Sequence, residues 1–320
     1  MLPLPETDTL DPETLAGWVE LSVLAVDDAQ LSIGELAEEL RDSNLLEDAL
    51  PEETEAIDGE PERPAEDLAA DVWSVLEERQ RLLGAASPFI LERRLIKRRK
   101  SRCKLDDVAA YLTMLLIEAA GKGWYSDFEL AADDEVRTLF EAVAAASLLG
   151  LGNTRVERLG SPYPGQDIRG FRARVRALAA SFELAANEQE LERFTHPREN
   201  DRGLDLIARW WNDDASGGMP YLLVQCATGK GWIHSKAAEP PMVAWQKFAT
   251  WDGPILKCIA VPYTVQRPRG LGNAWLRTEG AIIFDRLRLS RGAPDRRLPP
   301  LIREKLVRWC KQQLHTIQGG

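Results

Sequence analysis

The chain has little of what several chemistries need. Its four cysteines, at 103, 226, 258 and 310, form no C-x-x-C pair. That argues against a structural zinc or a disulfide framework and fits a reducing, cytoplasmic compartment. Only three histidines occur, and neither His196 nor His234 has a partner at ligand spacing, which sets aside a zinc centre or a His-based triad. Long apolar runs are missing too: the longest, YLTMLLIEAAG, is interrupted by Glu118 and is too short to span a bilayer. The opening MLPLPETDTL lacks the basic stretch and apolar core of a secretory leader, so no membrane association is expected. No repeat with a period of about 20 to 50 residues is visible, which removes solenoids.

Basic residues are scarce at one end. Residues 1–71 hold 22 Asp and Glu against Arg41 and Arg63 alone, a balance of −20. With a net charge of −11, the other 249 residues therefore carry +9. A basic body can attract phosphate while an acidic arm stays solvated, docks to a partner or covers the basic surface.

Four segments follow from local pattern. Residues 1–46 read as an acidic helical segment. In it, DPETLAGWVELSVLA offers Asp11 as N-cap and Pro12 at the first helical position, and LSIGELAEELRDSNLL places Ser32 three residues before Glu35. Residues 47–66 are acidic and proline-rich with nothing to bury, a linker. Residues 67–130 read as a helical region. Its basic run, from Arg93 and Arg94 through Lys97 to Lys104, is either a solvated face or a clamp for a phosphate backbone.

From 131 to 320, helices alternate with strand-like runs. DDEVRTLFEAVAAASLLGLG is helical, TRVERLG a strand, SPYPG a turn and DIRGFRARVRALAASFELA a helix. GLDLIARWW, YLLVQCATG, ILKCIAVPY and GAIIFDRLRL read as strands, and LPPLIREKLVRWCKQQLHTI as a closing helix. The class expected is α/β.

Side chains two apart on a strand share a face, so Asp205 lies with Ile207, and Gln225 with Leu223 and Ala227. An ionised Asp205 in so apolar a run needs a cation or hydrogen bonds. Mg²⁺ takes oxygen ligands, and Asp205, the amide oxygen of Gln225 and the backbone carbonyl of Cys226 offer them.

The pattern D-x(19)-Q-x-A, with its GLDL strand and a preceding helix that carries Phe140-Glu141, resembles the PD-(D/E)XK nuclease superfamily, most of all its Mrr-like restriction endonuclease branch. The resemblance covers roughly residues 130–320 and implies a restriction-endonuclease-like mixed sheet flanked by helices, beside an N-terminal helical domain. It implies a Mg²⁺- or Mn²⁺-dependent endonuclease, a hydrolase of DNA phosphodiester bonds, in a bacterial restriction or antiviral defence setting. A homodimer, or other defence proteins bound through the N-terminal region, would be its partners.

Carried over, Asp205 and Gln225 take the metal-binding positions and Glu141 is the helix acid. Ala227 stands where that family has its lysine. Lys230, after the Thr228-Gly229 turn, and Lys236, in the next segment, are the substitutes, and the glycine turn favours Lys230. Ala227 and the amide at 225 also support an alternative, a catalytically degenerate nuclease fold that binds DNA or assembles with partners. Seven of the ten tryptophans follow residue 205, for base stacking or for core packing.

Overall fold

Asp11 and Pro12 start a helix as their types require, and the rest of the N-terminal region builds on it. The computed structural model describes residues 2–6, 11–26, 29–43, 65–102, 104–125, 128, 134–152, 154–159, 170–196, 202–210, 218–265 and 269–319. The proposed linker (apart from residues 65 and 66), the SPYPG turn, Cys103 and Trp211 lie outside these residues. The chain divides into two units, 1–129 with 304–320, and 130–303.

In the first unit α1 (Pro12–Ala25) is capped by Asp11, whose carboxylate accepts from the Thr14 amide at 2.9 Å. Strand β1 (Gln30–Ser32) leads into α2 (Ile33–Asp42), where Ser32 and Glu35 form the expected reciprocal capping box. Helix α3 (Ala65–Leu83) ends at Gly84, which takes φ 53°. Helix α1 is buried on most sides, so its Glu20 needs a counter-charge. Arg79 of α3 supplies it at 3.0 Å and also reaches the Glu13 carboxylate at 2.6 Å.

The region beyond α3 departs from the helical expectation. Residues Phe89–Glu92 (β2) and Leu95–Arg98 (β3) form an antiparallel hairpin, and β1 joins it in the order β1-β3-β2. Its turn is Arg93-Arg94, with Arg93 at φ 54°. Hairpin turns usually announce themselves with Gly or Asn, which tolerate that conformation, so the pattern gave no warning. The apolar α4 (Ala109–Lys122) follows and ends at left-handed Gly123.

The second unit begins with α5 (Asp134–Gly150) and β4 (Thr154–Arg158), then α6 (Phe171–Ser181) and α7 (Glu188–Phe194). Strands β5 (Leu206–Trp210) and β6 (Tyr221–Cys226) come next, then the short α8 (Trp232–Ser235) and α9 (Met242–Phe248). Strand β7 (Ile255–Ala260), α10 (Arg269–Arg277), β8 (Ile282–Phe284) and α11 (Arg286–Arg291) complete it. The sheet runs β4-β5-β6-β7-β8; the first three strands are antiparallel and the last three parallel. It is a mixed sheet in an α/β unit.

GAIIFDRLRL is not a single strand: β8 stops at Phe284, and Asp285 caps α11 by accepting from the Arg288 amide at 3.0 Å.

Ile207, Tyr221 and Leu223 present one sheet face to Phe171 and Val175 of α6, Leu191 of α7, and Trp245 and Phe248 of α9. Each such buried side chain contributes about 1.5–3 kcal/mol. Phe171, Trp245 and Phe248 also meet edge to face. Helix α5 packs against β4, β5 and β6.

The closing helix α12 (Pro300–Gly319) was expected to stay with residues 131–320, yet its residues from 304 group with the first unit. There the thiol of Cys310 lies 3.2 Å from the hydroxyl of Thr113 on α4. Among the described residues no helix is long and apolar enough to cross a membrane.

Candidate functional site

Asp205 and Gln225 come from neighbouring strands. Leu206 opposes Val224 at the end of the β5–β6 pair, and Asp205 immediately precedes it. Asp205 lies just ahead of β5, with its amide donating to the Val224 carbonyl at 3.0 Å and its carbonyl accepting from the Leu159 amide at 2.8 Å. Its carboxylate Oδ2 accepts from the Cys226 amide at 2.6 Å. Gln225 Nε2 donates to the Cys226 carbonyl at 3.0 Å. The acid and the amide thus each bond one backbone group of Cys226.

Both side chains are buried, at 6% and 5% exposure. Gln225 Oε1 is buried with no hydrogen-bond partner. Turning the amide over would press its oxygen against the Cys226 carbonyl, so the orphan is the oxygen rather than the nitrogen. Leaving such an acceptor unpaired costs about 1–3 kcal/mol. A hard cation, which takes oxygen ligands, would remove that cost.

The other two proposed ligands are differently engaged. The Cys226 carbonyl, expected to face a metal, is taken by the amide of Gln225. Glu141 of α5 is ion-paired with Arg158 of β4. Burial, then the negative charges of Asp205 and Glu141, push the Cys226 thiol well above its ordinary range, while Arg158 opposes them. That balance places two acids and one arginine around the same thiol. Among the described residues no group of three or more His, Cys, Asp and Glu side chains is placed to hold a metal.

The two candidate lysines differ in their surroundings. Lys230 is exposed on the turn after β6. Lys236 follows α8 and pairs with Glu239 at 2.7 Å. Glu239 in turn lies against Gly203: a Cβ there would come within 2.7 Å of Glu239 Cγ, and Gly203 has φ 65°. Lys236 is thus tied to the segment that carries Asp205. Ala227 packs in an apolar cluster with Trp232, Ile259 and Val261, which explains why position 227 is no place for an ammonium group.

Sequence reasoning missed Arg158 and Glu239. Arg158 had one available signal, since buried acids on neighbouring elements require a counter-ion. His196 and His234 are both exposed. Trp232, Trp245 and Trp309 are core residues, whereas Trp210 and Trp275 are exposed. Compared with known protein families, curated proteins and solved structures, the chain matches none, so the site stands on its own geometry.

Proposed function

We propose that the second unit is a metal-assisted endonuclease that hydrolyses phosphodiester bonds in DNA. The observation that carries this reading is the buried, unsatisfied oxygen of Gln225, on the strand whose Cys226 amide holds the Asp205 carboxylate. The mixed sheet and its helices are compatible with the nuclease-like fold that the sequence resembles.

Asp205 and Gln225 are the residues that would hold Mg²⁺ or Mn²⁺. A bound divalent cation supplies neutralising charge for the phosphate and a more acidic water. Asp205 is held in one orientation by the Cys226 amide, so little reorganisation is needed when substrate arrives. Lys236, steadied by Glu239, provides the ammonium group for charge that develops on phosphate oxygens. Arg158 holds the Glu141 carboxylate in an ion pair. A restriction or antiviral setting rests on the resemblance alone; a cytoplasmic location rests on the scattered cysteines, and partners for the N-terminal region on its acidic charge as well as the resemblance.

The test is nicking of supercoiled plasmid in Mg²⁺ or Mn²⁺ by wild type, Asp205→Ala and Lys236→Ala. Wild type should nick and Asp205→Ala should not; equal rates for the two would remove Asp205 from the mechanism. A second reading is favoured by Arg158, which occupies Glu141, and by Ala227 in the lysine position: a nuclease fold that holds DNA without cutting it. It predicts salt-sensitive DNA binding with no nicking in either metal.

A further inference from the structure

The basic run of the first unit separates into two sets of side chains. Lys97 pairs with Glu92 at 2.6 Å, Arg98 donates to the Leu24 carbonyl, and Arg99 Nε donates to the Ser87 carbonyl at 3.0 Å. These bind the hairpin to its own unit. Arg93, Arg94, Lys100 and Lys104 are exposed.

Arg93 occupies a left-handed conformation, which costs a long side chain roughly 1–2 kcal/mol and which Gly or Asn adopts cheaply. The turn is also pinned on both sides. The Arg93 carbonyl accepts from Trp73 Nε1 at 3.2 Å, and the Arg94 carbonyl accepts from the Ile33 amide at 3.0 Å. Two guanidinium groups therefore stand on a rigid tip where a better turn residue would be more stable. Strain retained at an exposed charge points to a use for the charge.

The neighbouring helix narrows what that use is. The exposed side of α3 carries Glu66, Asp67, Glu77 and Glu78, and its exposed Arg81 is paired with Glu78 at 2.7 Å. Phosphate is repelled from this helix, so an approaching duplex meets the hairpin. We infer that the Arg93-Arg94 tip is a contact surface for the phosphate backbone of duplex DNA. Arginine suits it, because its planar fork binds phosphate oxygens in pairs. Contacts of this kind position a protein on the duplex without reading sequence. The surface shares a DNA partner with the proposed hydrolase but none of its chemistry.

The experiment uses the full chain carrying Asp205→Ala, in EDTA, with a short fluorescein-labelled duplex of mixed sequence. Anisotropy is followed across a salt series. Arg93→Gly and Arg94→Ser should each weaken binding and lower the slope of log K against log salt by about 1. Arg93→Gly should also hold or raise the melting temperature, because glycine accepts the turn without strain. Weaker binding by a protein at least as stable can only come from the lost charge. Unchanged affinity and slope in both variants, or no duplex binding by the parent, would overturn the inference. Neither result depends on whether the second unit cuts DNA.

Discussion

Arg158 and Glu141 form an ion pair between β4 and α5, with side chains only 4% and 10% exposed. Breaking such a pair from one side leaves a bare charge in the interior, a loss of about 3–5 kcal/mol. Arg158→Met should therefore lower unfolding stability by about that amount in urea titrations. The double variant Arg158→Met, Glu141→Leu should recover most of it, since neither charge remains. A single variant as stable as wild type would show that the pair is not formed in solution.

Asp205 has a structural duty as well as a proposed chemical one. Asp205→Asn keeps an oxygen for the Cys226 amide, whereas Asp205→Ala leaves that amide buried and unpaired at a cost of about 1–3 kcal/mol. Thermal unfolding should place Asn between wild type and Ala. Neither variant should gain stability from added Mn²⁺, while wild type should, because a ligand that binds only the folded state raises its melting temperature. A shift of equal size in all three would mean that the cation binds elsewhere.

These two relationships differ in how readily a sequence reveals them. The pairing of β5 with β6, at whose end Asp205 reaches the Cys226 amide, is legible because strand alternation and an antiparallel pair set register within a few residues. Capping by Asp11 and by Ser32 is legible for the same reason: the partners are three residues away. Arg158 with Glu141, and Lys236 with Glu239 near Gly203, depend on how helices and turns pack on the sheet, which no local pattern encodes. The β2–β3 hairpin stayed hidden because two arginines form its turn and its strands are four residues each. Asp285 reads as a strand residue because the apolar run Ala281 to Phe284 leads into it, yet its side chain begins a helix.

The two lysines should separate in activity. Lys236→Ala should reduce nicking by about 10²–10³, the usual loss when one donor to developing charge is removed. Lys230→Ala, an exposed turn change, should leave nicking within a few-fold and stability within about 0.5 kcal/mol. Single-turnover assays at saturating metal are the measurement. A larger loss from Lys230→Ala would return that residue to the place its glycine turn first suggested.

Cys258 provides a pH prediction away from the site. It is buried on β7 between β6 and β8, and burial alone pushes its thiol far above the ordinary 9.0. The folded chain thus keeps a proton that the unfolded chain releases. Its contribution is fully present below pH 9 and declines as pH rises above that value, at up to about 1.4 kcal/mol per pH unit. Tyr125, raised by burial in the same way, adds a decline that begins only above its ordinary 10.0. Cys258→Ala should lower stability at every pH, through lost packing, yet flatten the fall between about pH 9 and 10. Urea midpoints across that window decide it: an equally steep fall in the variant would mean that Cys258 ionises as freely in the folded chain as in the unfolded one.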